Sequence, residues 1–435
     1  MVKEGYKQTE VGVIPEDWEV DELSNLTSEI GDGIHSTPTY TSNKDYYFIN
    51  GNNLKNSQII ISKDTKTIDI LEFIKYKKNL NDRTILLSIN GTIGNLAFYF
   101  NEQIILGKSA AYLNVKKQIS KRYIFFALQT KNVKVFFEDG LTGTTIKNLG
   151  LGVIRNTPII IPKNSKEQKA IAKALSDTDT LITLLEKLIT KKQAIKKATM
   201  QQLLTGRKRL SGFGAGKGYK QTELGEIPED WSLQQLGEIG QFKNGINKGS
   251  DDFGYGFPFV NLMDVFGHPV ISSSKTLGLV NTGDLERKVY NLQEGDVIFI
   301  RSSVKPSGVG LTTVIDKSLC NTVYSGFLIR FRDSGKLNKL FKKYCFHEEM
   351  FRQRIVSISS VSANTNINQE NLMKTLILFP SSEIEQHAIA KILSDMDSDI
   401  ELIKKQLNKT QQIKVAMMQE LLTGKTRLIE SSELS

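Results

Sequence analysis

Cysteine is almost missing from this chain. There are two in 435 residues, Cys320 and Cys345, with no Cys-x-x-Cys or Cys/His spacing near either. That excludes a disulfide framework and a spaced zinc site, and it points to a reducing, cytoplasmic setting. Histidine is as scarce: His35, His268, His347 and His387 lie far apart, and none makes a helical His-Glu-x-x-His. No Gly-x-x-x-x-Gly-Lys-Ser/Thr phosphate loop occurs. The glycine-rich stretch 253–257 runs into Pro258 with no helix after it, so it is not a cofactor loop. The nine prolines are never adjacent, which rules out the Asp/Asn-Pro-Pro-aromatic tetrad of an amino-methyltransferase. No run of about 18 apolar residues is present to span a bilayer, and the first residues show no apolar core of a signal peptide. The expectation is a chain that is not an enzyme by itself and holds neither cofactor nor metal.

What is present begins with charge. Lys and Arg outnumber Asp and Glu by 57 to 47, a formal net charge of +10. That favours a polyanionic partner, although charge alone does not choose between nucleic acid and a membrane surface. The length suffices for two ordinary domains, each with its own core.

The chain then says nearly the same thing twice. Gly5-Tyr6-Lys7-Gln8-Thr9-Glu10, Gly12 and Ile14-Pro15-Glu16-Asp17-Trp18 return as Gly218-Tyr219-Lys220-Gln221-Thr222-Glu223, Gly225 and Ile227-Pro228-Glu229-Asp230-Trp231, an offset of 213 (231 − 18). A second block, Gln168, Ala170-Ile171-Ala172-Lys173, Leu175-Ser176-Asp177, returns as Gln386, Ala388-Ile389-Ala390-Lys391, Leu393-Ser394-Asp395. Its tail, Leu203-Leu204-Thr205-Gly206 and Arg209-Leu210, returns as Leu421-Leu422-Thr423-Gly424 and Arg427-Leu428, at an offset of 218 (424 − 206). Between the blocks the halves share little. One frame holds two different inserts.

The second block predicts a long helix in each half. Ile171, Leu175, Ile182, Leu185 and Ile189 lie on an a/d seam, and Ile389, Leu393, Met396, Ile400, Ile403 and Leu407 lie on its repeat. Pro162 and Pro380 stand just ahead of the helices, and Gly206 and Gly424 fall where a C-terminal cap belongs. Each helix spans roughly 40 residues, about 60 Å. Equal length and matched seams favour pairing of the two helices within the chain, parallel or antiparallel, over pairing with another molecule. The glycines of 207–217 predict a flexible linker. Read as a circle, the tail after Gly424 runs into the N-terminus as the linker after Gly206 runs into Gly218, which implies a pseudo-two-fold axis.

The inserts read as mixed α/β. Strands are expected at 46–50, 59–61, 84–89, 96–100, 112–115 and 159–161, with a helix over 122–137. In the second insert strands are expected at 257–260, 296–300, 311–315, 327–331 and 375–379, with a helix over 337–355. Polar, glycine-punctuated loops recur at matching places with different residues. In the first insert they carry His35, Ser36, Thr37, Asn52, Asn53, Asn90, Thr92, Thr144, Thr145 and Lys147. In the second they carry Lys243, Asn244, Asn247, Lys248, Asn261, Arg301, Ser302, Lys305, Ser307, Asn364, Thr365 and Asn366. Such side chains read base edges and clamp phosphates. They also serve turns, and an Asn-Gly pair is first a hairpin signal.

Three motifs, each present twice, carry a resemblance. Gly-x-Ile-Pro-Glu-Asp-Trp (12–18 and 225–231), Glu-Gln-x-x-Ile-Ala-x-x-Leu-Ser-Asp (167–177 and 385–395) and Gln-x-Leu-Leu-Thr-Gly (201–206 and 419–424) resemble the specificity subunit of type I restriction–modification systems, over essentially the whole chain. One departure is visible. Where the family often has Pro-Leu-Pro-Pro, this chain has Ile161-Pro162-Lys163-Asn164 and Phe379-Pro380-Ser381-Ser382.

The resemblance implies an α+β fold: two mixed α/β target recognition domains (1–163 and 218–381) separated by two long helices (164–206 and 382–425) packed as a coiled coil, with a linker at 207–217, in a circularly permuted internal repeat. It implies that each domain reads one half of a split double-stranded DNA target. The helices set the unread gap, and two modification subunits carrying S-adenosylmethionine dock on the chain. Restriction (translocase and nuclease) subunits complete the assembly. A coiled-coil scaffold that binds proteins is the alternative of a different class. A stand-alone methyltransferase is disfavoured by the missing tetrad.

Overall fold

The computed structural model describes residues 2–42, 45–143, 145, 147–361 and 364–429. The chain forms two compact units, Met1–Glu186 with Lys405–Ser435, and Lys187–Lys404. The two long helices, Ser165–Leu204 and Glu383–Leu421, are each divided between the units. Sequence reading placed the spacer helices in segments of their own. In the structure half of each helix belongs to the core of one unit, because its apolar face is covered there.

In the first unit Thr178 Oγ1 lies 3.5 Å from Met417 Sδ, and Lys414 pairs with Asp179 at 2.6 Å. In the second Lys192 pairs with Asp399 at 2.9 Å and Lys196 with Asp397. Numbers rise on one helix as they fall on the other, so within each unit the pair is antiparallel. Every expected seam residue is buried or half-buried, from Ile171, Leu175 and Leu185 to Ile389, Leu393 and Ile400. Ile171 and Leu175 join the first core and Ile389 and Leu393 the second.

The motifs explain how each unit closes. Tyr6–Thr9 and Gly12–Pro15 form a hairpin, and Trp18–Glu22 pairs antiparallel with the last strand of the insert, Pro158–Pro162. The repeat does the same with Tyr219–Thr222, Gly225–Pro228 and Trp231–Gln235 on Leu376–Pro380. Trp18 and Trp231, the only tryptophans, are fully buried. The Glu of each Glu-Gln pair sits in the first turn of its helix, where the dipole favours an anion. The Gln ties that helix to the insert: the Gln168 amide oxygen accepts from Ser120 N at 2.9 Å and its Nε2 donates to Pro162 O at 2.8 Å. Gln386 does likewise with Asn338 N at 2.7 Å and Pro380 O at 2.9 Å.

The helix ends behave as a circle requires. Gly206 and Gly424 have φ of +70° and +72°, the left-handed cap conformation. Tyr219 Oη donates to Gly206 O at 3.2 Å, and Tyr6 Oη donates to Gly424 O at 3.1 Å. Beyond each cap an arginine turns back. Arg209 forks onto Asp230 (2.8 and 3.1 Å) and Glu385 (2.6 and 2.8 Å). Arg427 forks onto Asp17 (2.9 and 2.8 Å) and Glu167 (2.5 and 2.8 Å). Arg209 holds the Asp230 carboxyl below the usual carboxylate range. The linker is therefore anchored near its start, at Arg209. Because the two junctions are alike, joining residue 435 to residue 1 and opening the chain within 211–217 should preserve the fold. A thermal transition within a few degrees of the parent is the expected result, and a chain that cannot fold would show the junctions to be unequal.

The inserts fit the expected α/β pattern with local differences. The first holds an antiparallel sheet in the order Leu96–Phe98, Thr84–Ser88, Ala110–Val115, Thr27–Asp32. The second holds Gly240–Asn244, Leu328–Asp333, Val297–Ile300, Thr312–Ile315 and Val270–Ile271. Each expected insert helix is two: Lys121–Ala127 and Lys131–Asp139, and Lys339–Cys345 and Glu349–Ser357. The break in the second is a cap. The Glu348 carboxylate accepts from Met350 N and Phe351 N at 2.8 and 2.7 Å, which starts a new helix where periodicity alone runs on. Residues 60 and 61 lie outside the short strand Gln58–Ile59. The stretch 253–257 is part of a strand, Phe253–Val260, with a bulge against Val280.

Candidate nucleic-acid interface

The polar loops converge at one end of each main sheet. In the first unit Asp32, Ser88 and Ala110 close the same sheet end, since Ser88 pairs with Ala110 and Asp32 with Ala111. Gly33 lets the chain leave that end: a Cβ there would lie 2.2 Å from Leu106 O. Ile34 N then bonds Leu106 O at 2.8 Å, which sets out His35, Ser36 and Thr37. The turn Gly51–Asn53 is tied in by Gly51 N to Ser109 Oγ at 2.9 Å, and Thr92 Oγ1 donates to Gly51 O at 3.2 Å. Asn90 bridges Asn148, which brings Lys147 alongside.

The second unit repeats the construction with other side chains. A Cβ on Gly245 would lie 2.1 Å from Ser325 O. Ile246 N bonds Tyr324 O at 2.9 Å, setting out Asn247. Ile300 pairs with Leu328, and Arg301 N bonds Phe327 O at 2.9 Å, the counterpart of Ile89 N to Ser109 O. Ser302–Ser303 pairs with Thr365–Asn366, which adds the 364–366 loop to the cluster.

Within these clusters the expected residues divide by what their side chains already do. Ser36, Thr37, Asn52, Thr145 and Lys147 are exposed in the first unit, and Asn247, Lys305, Ser307 and Asn364 in the second; Thr92 is exposed too, with its hydroxyl committed to Gly51 O. Arg301 is half-buried, with Nη1 donating to Gly326 O at 3.3 Å. Others serve the turns. Asn53 accepts from Asn50 N and donates to Ile60 O, and Asn90 Nδ2 reaches Lys108 O at 3.5 Å. Asn261 caps Leu262 N at 2.8 Å, and Asn366 Nδ2 donates to Asn364 O at 3.0 Å. His35 Nε2 lies 2.9 Å from Asp32.

Lys248 is paired with Glu286 at 2.9 Å, Lys243 lies over the Tyr290 ring, and Asn244 faces the Gln369 amide. Thr365 is only 2% exposed, so its side chain is closed to a ligand. Ser302 is half-buried in the ladder that pairs it with Asn366. Thr144 lies outside the described residues. Sequence reasoning missed Lys108 and Phe327, which are exposed at the turns entering Ala110–Val115 and Leu328–Asp333. The signal for both is position, one or two residues ahead of a strand that begins at the clustered end. Among the described residues no group of His, Cys, Asp and Glu could hold a metal, and no helix is long and apolar enough to cross a membrane.

With two such ends on one repeated frame, the comparison with known proteins becomes decisive. The family model described as the type I restriction modification DNA specificity domain matches twice, at residues 15–197 and 228–412. The chain belongs to this family of specificity subunits. These are non-catalytic parts of a larger system. The putative type I restriction enzyme MjaX specificity subunit of Methanocaldococcus jannaschii is 30% identical, with 98% of this chain and 97% of that one covered. Two solved structures share the fold. The S subunit of a type I restriction–modification system from M. genitalium has a TM-score of 0.53 at 17% identity, covering 93% of this chain and 96% of that one. A chain from a study of complex assembly and conformational transition in the type I R-M system has 0.59 at 14%, covering 95% and 99%. The two family matches fall on the two copies of the frame, so the repeat read in the sequence is the family's own.

Proposed function

We propose that this specificity subunit reads a two-part, asymmetric target in double-stranded DNA, one half-site per unit. The observation that carries this reading is the pair of loop clusters. One frame presents two sheet ends with different side chains, and Lys147, Arg301 and Lys305 there have no carboxylate partner among the described residues. Different readers on equivalent mounts suit a target whose halves differ.

The paired helices act as the spacer between half-sites. They also offer a repeated docking face: the exposed apolar residues Leu184 and Ile195 recur as Leu402 and Ile413 at the offset of 218. A face that occurs twice suits two copies of one partner, the modification subunit, which would carry S-adenosylmethionine and methylate adenine in the target. Restriction subunits would join that assembly in the cytoplasm.

The test is reconstitution. The chain alone should transfer no methyl group, and addition of the modification subunit should create methylation at a gapped motif. Lys147→Ala and Asn52→Ala should then disturb one half-site, and Arg301→Ala the other, with a lost bidentate base contact worth about 1–3 kcal/mol. Affinity should fall with salt by a log–log slope of about −0.9 per phosphate contact. Salt-independent binding, or one substitution disturbing both halves equally, would defeat the reading.

A further inference from the structure

The loop cluster of the second unit carries large apolar side chains in the open. Phe327 is 60% exposed and Val304 82%. Phe327 is held beside Arg301, whose N donates to Phe327 O at 2.9 Å, and Val304 follows the short strand Ser302–Ser303 and precedes Lys305. The placement is built. Phe327 N donates to Ser325 Oγ at 3.3 Å, and Gly326, which precedes it, is buried with no room for a Cβ, which would lie 1.9 Å from Asn247 Oδ1. The backbone is thus fixed with the ring facing out.

The first unit has Ser109 at the same register, where Ser88 pairs with Ala110 as Ile300 pairs with Leu328. Ser109 Oγ donates to Asn50 Oδ1 and accepts from Gly51 N, each at 2.9 Å. A hydroxyl committed to the turn in one reader is replaced by an exposed ring in the other. The occupant is indicated by charge. Arg301 is bonded to Phe327 through its backbone, and neither it nor Lys305 of the same loop cluster has a carboxylate partner among the described residues, which fits a polyanion. Among the base edges of the major groove, the thymine 5-methyl is the apolar feature, and phenylalanine is one of the side chains that meets it.

We propose that Phe327 is a specificity-determining residue that reads a thymine through its 5-methyl group in the half-site of the second unit. This rests on the reading of these sheet ends as DNA-facing. The test uses the full chain assembled with its modification subunit, once the methylated motif has been mapped. Each thymine of the motif is replaced in turn by uracil, which removes only the methyl group. The parent should lose about three- to ten-fold in affinity at one thymine of the second half-site, on the scale of one apolar carbon desolvated. Phe327→Ser, which installs the residue of the first unit, should bind thymine and uracil there alike, with the first half-site and the thermal transition unchanged. Indifference of the parent to every thymine-to-uracil exchange would overturn the proposal while leaving bipartite reading intact. So would a Phe327→Ser chain that keeps the discrimination. An assembly with no bipartite preference at all would instead remove the reading beneath it.

Discussion

Deleting one heptad from each long helix, residues 182–188 together with 400–406, should shorten the gap between the methylated half-sites by one to three base pairs while both keep their sequence. Seven residues of helix are about 10.5 Å, and roughly three base pairs occupy the same length. The antiparallel pairing makes the double deletion self-consistent. The contacts of residues 178 and 179 with 417 and 414, and of 192 and 196 with 399 and 397, all lie outside the removed segments. Removal of a whole heptad also keeps both seams in phase. The range of one to three reflects DNA twist, which the shortened frame must absorb at an elastic cost. The measurement is the methylated motif before and after deletion, in complexes shown to be assembled. An unchanged gap would mean that the helices do not act as the ruler.

Arg427→Ala should destabilise the first unit by about 3–5 kcal/mol, because it leaves the Glu167 carboxylate buried without its cation. Glu167 has no solvent exposure, and Arg427 supplies two of its hydrogen bonds; the third comes from Trp18 Nε1 at 3.1 Å. At roughly 2–4 °C per kcal/mol for a unit of this size, a thermal transition should fall by about 10 °C. The double variant Arg427→Met with Glu167→Gln should regain most of the loss, since it removes the buried charge along with its partner. Calorimetry on the full chain checks both. A fall below about 2 °C for the single variant would show that the clamp is not structural. Arg209→Ala should act likewise on the second unit, where Glu385 is 2% exposed.

These clamps mark where legibility ended. The repeats named Arg209 and Arg427, Glu167 and Glu385, Asp17 and Asp230 as positions held in common, yet nothing in the spacing joined them, because the partners of Arg427 lie 410 and 260 residues away. The seams and glycine caps were legible because they are local: a heptad step and a left-handed residue are written in a few neighbouring positions. The split insert helices were not. A capping carboxylate such as Glu348 looks like any other polar helix residue until its hydrogen bonds are known.

The loop residues show the same division. Composition placed Asn, Ser, Thr, Lys and Arg at glycine-rich turns, and the turns do gather at two equivalent sheet ends. Which side chains remain for a ligand depended on bonds made within the turn. Asn53, Asn261 and Lys248 are committed by partners that range from the next residue to a few tens of residues away, and Thr365 is buried. Phe327 escaped notice for the opposite reason: an aromatic residue at a strand start reads as core, and only the register against Ile300 puts it outside.

By itself the sequence determined the doubled frame, the family, the two long helices with their seams and ends, and the absence of a catalytic motif. All of these follow from repetition or from patterns within one helical turn. The tertiary structure alone decided the antiparallel sense of the helix pair, the assignment of half of each helix to each unit, the arginine clamps, and the side chains left facing solvent at the loop clusters. Each of those depends on contacts between residues distant along the chain, whose energies arise only when packing has brought the partners together and removed them from water.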